Sequence, residues 1–151
     1  MTILDKIVER KKQEVAAAKA KVSQEELTQY PLFNRSCYSL KDAILDAEKT
    51  GIIAEYKRAS PSKGVLNNTA SIEEVVAGYQ SAGASAISVL TDADFFQGSL
   101  EDLTKARTVL SIPLLRKEFI VDKYQIAEAK AYGADIILLI AACLTAQEVE
   151  D

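Results

Sequence analysis

Ala82-Gly83-Ala84-Ser85-Ala86-Ile87-Ser88-Val89-Leu90, followed one loop later by Ser99 and Asp102, is the stretch that decides the fold. A glycine after a helical run supplies the left-handed residue that ends a helix. Ala86–Leu90 is then a nearly continuous apolar run, and Ser99 three residues before Asp102 reads as a helix N-cap followed by an acid that can reach back. Similar runs occur at Ile52–Ala54, Pro113–Leu115 and Asp135–Ile140, with further helix starts at Ser71 with Glu74, Asp122 with Gln125 and Thr145 with Glu148; Tyr132-Gly133-Ala134 repeats the helix-ending signal. Buried strands alternating with capped amphipathic helices predict an α/β fold with a parallel sheet built from right-handed βαβ units. Strand starts about 34, 27 and 22 residues apart suit either a (β/α)8 barrel or a doubly wound sheet, and periodicity alone does not choose.

The first fifty residues lack this unit. From Thr2 to about Ala20, Ile3, Leu4, Ile7, Val8 and Val15 recur near helical spacing among charged residues, so a surface helix with one apolar stripe is expected. Arg10-Lys11-Lys12 reads as a solvated helix face. Ser23 with Glu26 starts a short helix before Pro31, and Ser39 with Asp42 another through about Lys49. The expected organisation is therefore a helical extension over 1–50 and four β/α units over 51–151. The fourth helix begins only a few residues before Asp151, too short to stand alone, so the sequence is expected to be the N-terminal part of a longer protein.

The chain contains no His and no Trp, and its 18 basic and 22 acidic residues leave a net charge of −4. Without imidazole it can supply neither a Ser-His-Asp triad nor a His base or metal ligand; acid-base chemistry falls to Lys, Tyr, Asp, Glu or Cys. The mild acidity argues against a nucleic-acid partner. Cys37 and Cys143 are too few and too distant for a disulfide framework or a metal set, which suits a reducing cytoplasm. Ile136–Leu144, the longest apolar run, falls short of the roughly 20 residues of a membrane helix, so no membrane association is expected.

Chemistry concentrates after the strands. In Glu55-Tyr56-Lys57-Arg58-Ala59-Ser60-Pro61-Ser62-Lys63-Gly64, alternation puts Glu55 and Lys57 on the face of Ile53, at the C-terminal end of the first strand, where parallel α/β folds bind ligands. In Leu115-Arg116-Lys117-Glu118-Phe119, Lys117 shares a face with Leu115 and points from the same rim. Two lysines in such places are costly to bury without partners. Either an anionic ligand or a simple Lys117–Glu55 pair accounts for them. An ammonium beside another cation can also serve as a proton donor. Phe95 and Phe96, in the loop after the second strand, either pack beneath it or wall an aromatic pocket.

Three separated motifs, Glu55-x-Lys57-x-x-Ser60-Pro61-Ser62-x-Gly64, Leu90-Thr91-Asp92 to Phe96-x-Gly98-Ser99, and Leu115-Arg116-Lys117-Glu118-Phe119-Ile120-Val121-Asp122, together with the helices before the first strand, resemble the indole-3-glycerol phosphate synthase family. The resemblance covers essentially the whole chain and implies a (β/α)8 barrel, here its N-terminal half. It further implies ring closure of 1-(2-carboxyphenylamino)-1-deoxyribulose 5-phosphate with loss of carbon dioxide and water, in tryptophan biosynthesis, with no cofactor and no metal. Lys117 would be the general acid, Lys57 would hold the substrate carboxylate and Glu55 would orient both lysines. Ser60 would touch the substrate, and Phe96, Phe119 and Leu138 would form the aromatic pocket. The family's general base and phosphate loops would lie beyond Asp151, so residues 1–151 alone are expected to be inactive. The expected partner is a small phosphorylated aromatic substrate. A half-barrel that dimerises, or that associates with a C-terminal half, to cover its open edges is the competing reading.

Overall fold

Capping chemistry sets where the helices begin. In the computed structural model, which describes all 151 residues, Thr2, Ser23, Ser71 and Thr145 each form a complete capping box with the acid three residues on, opening α1 (Ile3–Lys21), α2 (Gln24–Leu27), α4 (Ile72–Ser81) and α7 (Ala146–Glu150). Ser39 opens α3 (Leu40–Leu45) through its bond from the Asp42 N–H, but the helix ends at Asp46, whose ψ of 115° is extended, rather than at Lys49. Ser99 caps α5 (Leu100–Val109). The box stays half-made because the Asp102 carboxylate turns to the Arg58 guanidinium instead of its own cap. Before α6 (Tyr124–Ala131) the roles shift: Asp122 Oδ1 accepts the Tyr124 N–H at 2.8 Å, while Gln125 Oε1 reaches back to the N–H groups of Val121 and Asp122.

Between these helices run β1 (Ile53–Tyr56), β4 (Ala86–Leu90), β5 (Leu114–Lys117) and β6 (Ile136–Ile137), all parallel and ordered β1-β4-β5-β6; β4 coincides with its apolar run, β1 and β5 are shifted toward their C-terminal ends, and β6 is shorter than its run. A two-stranded antiparallel hairpin, β2 (Ala59–Ser60) with β3 (Gly64–Val65), occupies the segment expected as a plain loop. Gly83 and Gly133, at φ of +98° and +108°, deliver the chain from α4 and α6 as the sequence implied.

Strand order settles what periodicity left open. Each new parallel strand adds beside the previous one, with no reversal of the kind that defines a doubly wound sheet. The core agrees, because Tyr56, Ile87, Val89 and Leu114 on one face of the sheet pack with Val76, Leu103 and Ala106 from α4 and α5. On the opposite face Ile53 of the edge strand β1 is 42% exposed, whereas Ala86, Ser88 and Leu115 on the inner strands are buried. The fold is half of a (β/α)8 barrel preceded by helices.

Those preceding helices dock at one place. Val15 and Leu27 pack with Tyr124 and Ala131 of α6, and the Tyr124 hydroxyl donates to the Val22 carbonyl at 2.8 Å. The Arg10-Lys11-Lys12 cluster is not wholly a solvated face. Lys11 is only 4% exposed, because it falls on the i, i+4 stripe Ile7-Lys11-Val15 that α1 buries. No helix is long and apolar enough to cross a membrane.

Candidate active site

Pairing register carries the expected side chains to one rim. Glu55 lies opposite Ser88, and Leu90 opposite Lys117, so the C-terminal ends of β1, β4 and β5 are level with one another. A cleft of about 90 Å³ opens there, lined by Glu55, Lys57, Leu90, Asp92, Phe96, Lys117, Glu118, Phe119 and Ile140. Ligand pockets usually enclose about 300–1,000 Å³, so these residues form one wall of a site rather than an enclosed chamber.

Within it Lys117 Nζ donates to Glu55 Oε2 at 3.0 Å, and the same oxygen accepts the Ser88 hydroxyl at 3.1 Å. Both partners of the ion pair remain about a third exposed, 38% and 33% at the side chain. Pairs so exposed contribute only about 0–1 kcal/mol to stability, which makes fold stabilisation a weak reason for their presence. Lys57 has no carboxylate within ion-pair distance, leaving an uncompensated ammonium on the cleft wall. Phe96 and Phe119 face each other across it, ring centroids 6.2 Å apart and tilted by 34°, a spacing in the favourable range for aromatic pairs.

Five of the seven residues singled out from the sequence, Glu55, Lys57, Phe96, Lys117 and Phe119, thus meet in one cleft. Ser60 does not line it; its hydroxyl accepts the Lys63 N–H at 3.2 Å inside the β2–β3 hairpin. Leu138 follows Ile137, which lies opposite Arg116, and so sits one step beyond the last β6 pair at the level of Lys117. Ile140, on the same side by alternation, reaches the cleft in its place.

Sequence reasoning missed the carboxylates beneath the rim. Asp92 and Glu118, 1% and 4% exposed, follow β4 and β5 and converge on Lys11, whose Nζ lies 2.8 Å from Asp92 Oδ2, 3.2 Å from Glu118 Oε1 and 2.6 Å from Glu14 Oε2. Burial alone would lower the Lys11 pKa; the field of Glu118 and the hydrogen bonds of Asp92 and Glu14 outweigh it and hold the ammonium well above the ordinary lysine value. Arg116 completes the cluster through Thr91 Oγ1 at 3.1 Å and Glu128 Oε1 at 2.9 Å. The available signal was Lys11 standing on the apolar stripe.

The cleft is cationic on one side, aromatic on the other, and lacks imidazole. Residues 4–151 match the family model described as indole-3-glycerol phosphate synthase. Curated relatives of that name agree: the chain is 44% identical to the one from Bacteroides thetaiotaomicron over 99% of its own length and 57% of the relative's. It is 44% identical to that from Neisseria meningitidis over 98% and 58%, and 45% identical to that from Bordetella pertussis over 99% and 58%. The chain therefore spans a little over half the length of these relatives. Because the match runs through the helical extension and all four strands that build the cleft, this chain belongs to the indole-3-glycerol phosphate synthase family.

Proposed function

We propose that the protein containing this chain catalyses the ring closure of 1-(2-carboxyphenylamino)-1-deoxyribulose 5-phosphate, with loss of carbon dioxide and water and without a metal or redox cofactor. The observation that carries the reading is the Lys117–Glu55 contact of 3.0 Å in a cleft that also holds the unpaired Lys57 and the Phe96–Phe119 pair. Lys117 donates a proton to the substrate carbonyl oxygen as the new carbon–carbon bond forms, so that charge does not build up on that oxygen. Glu55 fixes the direction of the Lys117 ammonium and is itself steadied by Ser88. Lys57 takes the carboxylate of the aromatic acid, and Phe96 with Phe119 hold the ring, converting an otherwise loose encounter into a positioned one. Ser60 and Leu138 belong to the binding residues by family resemblance.

The phosphate is held by residues outside 1–151, in keeping with the general placement of phosphate sites after the later strands of such barrels. Residues 1–50 act as a docking extension and 51–151 as the first four units of the barrel. The 151-residue polypeptide by itself is accordingly expected to lack turnover. The deciding experiment is steady-state formation of indole-3-glycerol phosphate by the full-length protein and its Lys117→Met variant. The expected result is at least a 100-fold fall in kcat, a general acid being worth about 10²–10⁴-fold. Turnover within a few-fold of the parent overturns the assignment of Lys117.

A further inference from the structure

The buried cluster beneath the cleft has no part in the chemistry above, yet it touches both of the loops that carry it. Asp92 shapes the loop after β4: its Oδ1 accepts the Phe95 N–H at 2.7 Å, and its carbonyl accepts the Gly98 N–H at 2.7 Å, so this residue anchors the turn that presents Phe96. Glu118 does the same after β5, its Oε1 accepting the Phe119 N–H at 2.8 Å and its Oε2 the Thr91 hydroxyl at 2.9 Å. Both carboxylates also line the cleft. Between them lies one cation from a different part of the chain, Lys11.

We infer that Lys11 is a positioning residue for the reaction: by bridging Asp92 and Glu118 it sets the distance between the Phe96 loop and the segment bearing Lys117 and Phe119. The inference rests on the synthase reading of the cleft. Its physical basis is the burial. Two carboxylates this deep repel one another strongly unless a cation lies between them, and the compact ammonium of Lys11, within 3.2 Å of each, lets both loops approach. Replacing a buried ionic cluster with apolar packing is often neutral for stability, so stability alone gives little reason for a lysine on the apolar stripe of α1. Spacing of the loops does. A misplacement of about 1 Å at groups remote from the chemistry costs on the order of 100-fold in rate.

The test uses the full-length protein and compares Lys11→Met with Lys19→Met. Lys19 makes another long ion pair of α1, to Asp122 at 2.6 Å; Asp122 lies at the α6 end of the loop after β5 and does not line the cleft, so this pair does not join the two loops. Both variants are assayed well below their unfolding midpoints. For Lys11→Met the expected outcome is a roughly 10- to 100-fold slower turnover with KM changed less than about threefold, while Lys19→Met turns over like the parent even where its midpoint drops as far. If Lys11→Met does not fold, the charge-balanced pair Lys11→Met with Asp92→Asn supplies the same readout, with the same loss expected. Parent-like turnover in a folded Lys11→Met protein, or equal losses in Lys11→Met and Lys19→Met, overturns the inference while leaving the synthase reading intact. An unsubstituted protein that does not turn over overturns both.

Discussion

Glycine 98 shows how tightly single positions govern the rim. A Cβ built there would clash with the Leu90 carbonyl oxygen and would come within 2.9 Å of Thr91 Cα, whereas at Gly78, inside α4, it would meet nothing within 4 Å. Gly98→Ala is therefore expected to destabilise the protein by about 1–3 kcal/mol, as overpacking against fixed backbone does. Gly78→Ala, relieved of glycine's entropy in a helix, is expected to stabilise it by roughly 0.5–1 kcal/mol. Denaturant midpoints of the two variants check the pair, and equal effects refute the close-approach argument. At this scale the sequence is informative where side-chain direction follows a simple period. Strand alternation alone brings Glu55, Lys57 and Lys117 to one rim. It does not place Ser60, because the turn from Pro61 to Lys63 folds back as a hairpin and ties its hydroxyl to Lys63.

Among the elements, α1 carries the consequence that sequence pattern left hidden. Its charged run was legible as a helix but not as a plug, since only docking against the loops after β4 and β5 makes Lys11 different from Arg10 and Lys12. The ammonium is faced by Glu14 from α1, Asp92 from the loop after β4 and Glu118 from the loop after β5. They raise its pKa in the folded state over the unfolded value of about 10.4. A raised folded-state value contributes stability that is fully present below the unfolded pKa and is lost as pH rises through the folded one. The difference in thermal midpoint between the parent protein and Lys11→Met is thus expected to stay level from about pH 7 to about 10 and to shrink at higher pH. A difference that shrinks already between about pH 7 and 9, or widens above about 10, contradicts the ion-cluster account. Helix starts were the most readable elements, because a Ser or Thr followed three residues later by Glu states its own geometry. Two starts show why others deviate: at Ser99 the Asp102 carboxylate turns to Arg58, and at Asp122 the helix begins only at Tyr124, so Asp122 accepts the Tyr124 N–H rather than that of Gln125.

For the whole molecule, the fold class was legible from the repeated unit, but the choice between barrel and doubly wound sheet was not, since strand order is a property of pairing rather than of spacing. On its inner face the half-barrel leaves Ile53 of the edge strand 42% exposed. The isolated polypeptide 1–151 is expected to self-associate through this uncovered face. Sedimentation across a concentration series checks this, a concentration-independent monomer being the contrary result. The docking of α1 also bears on how the chain acquires its shape during synthesis. The contacts that seat the helix, Arg10 with Asp94 and Lys19 with Asp122, join residues 84 and 103 positions apart. Closing such long loops is slow relative to forming local structure. The ribosome makes α1 before any strand it will touch, so the helix must wait, amphipathic and unseated, until the chain has grown through β5 and the start of α6. The cleft reaches its working shape only when this early stretch of polypeptide finds a much later one.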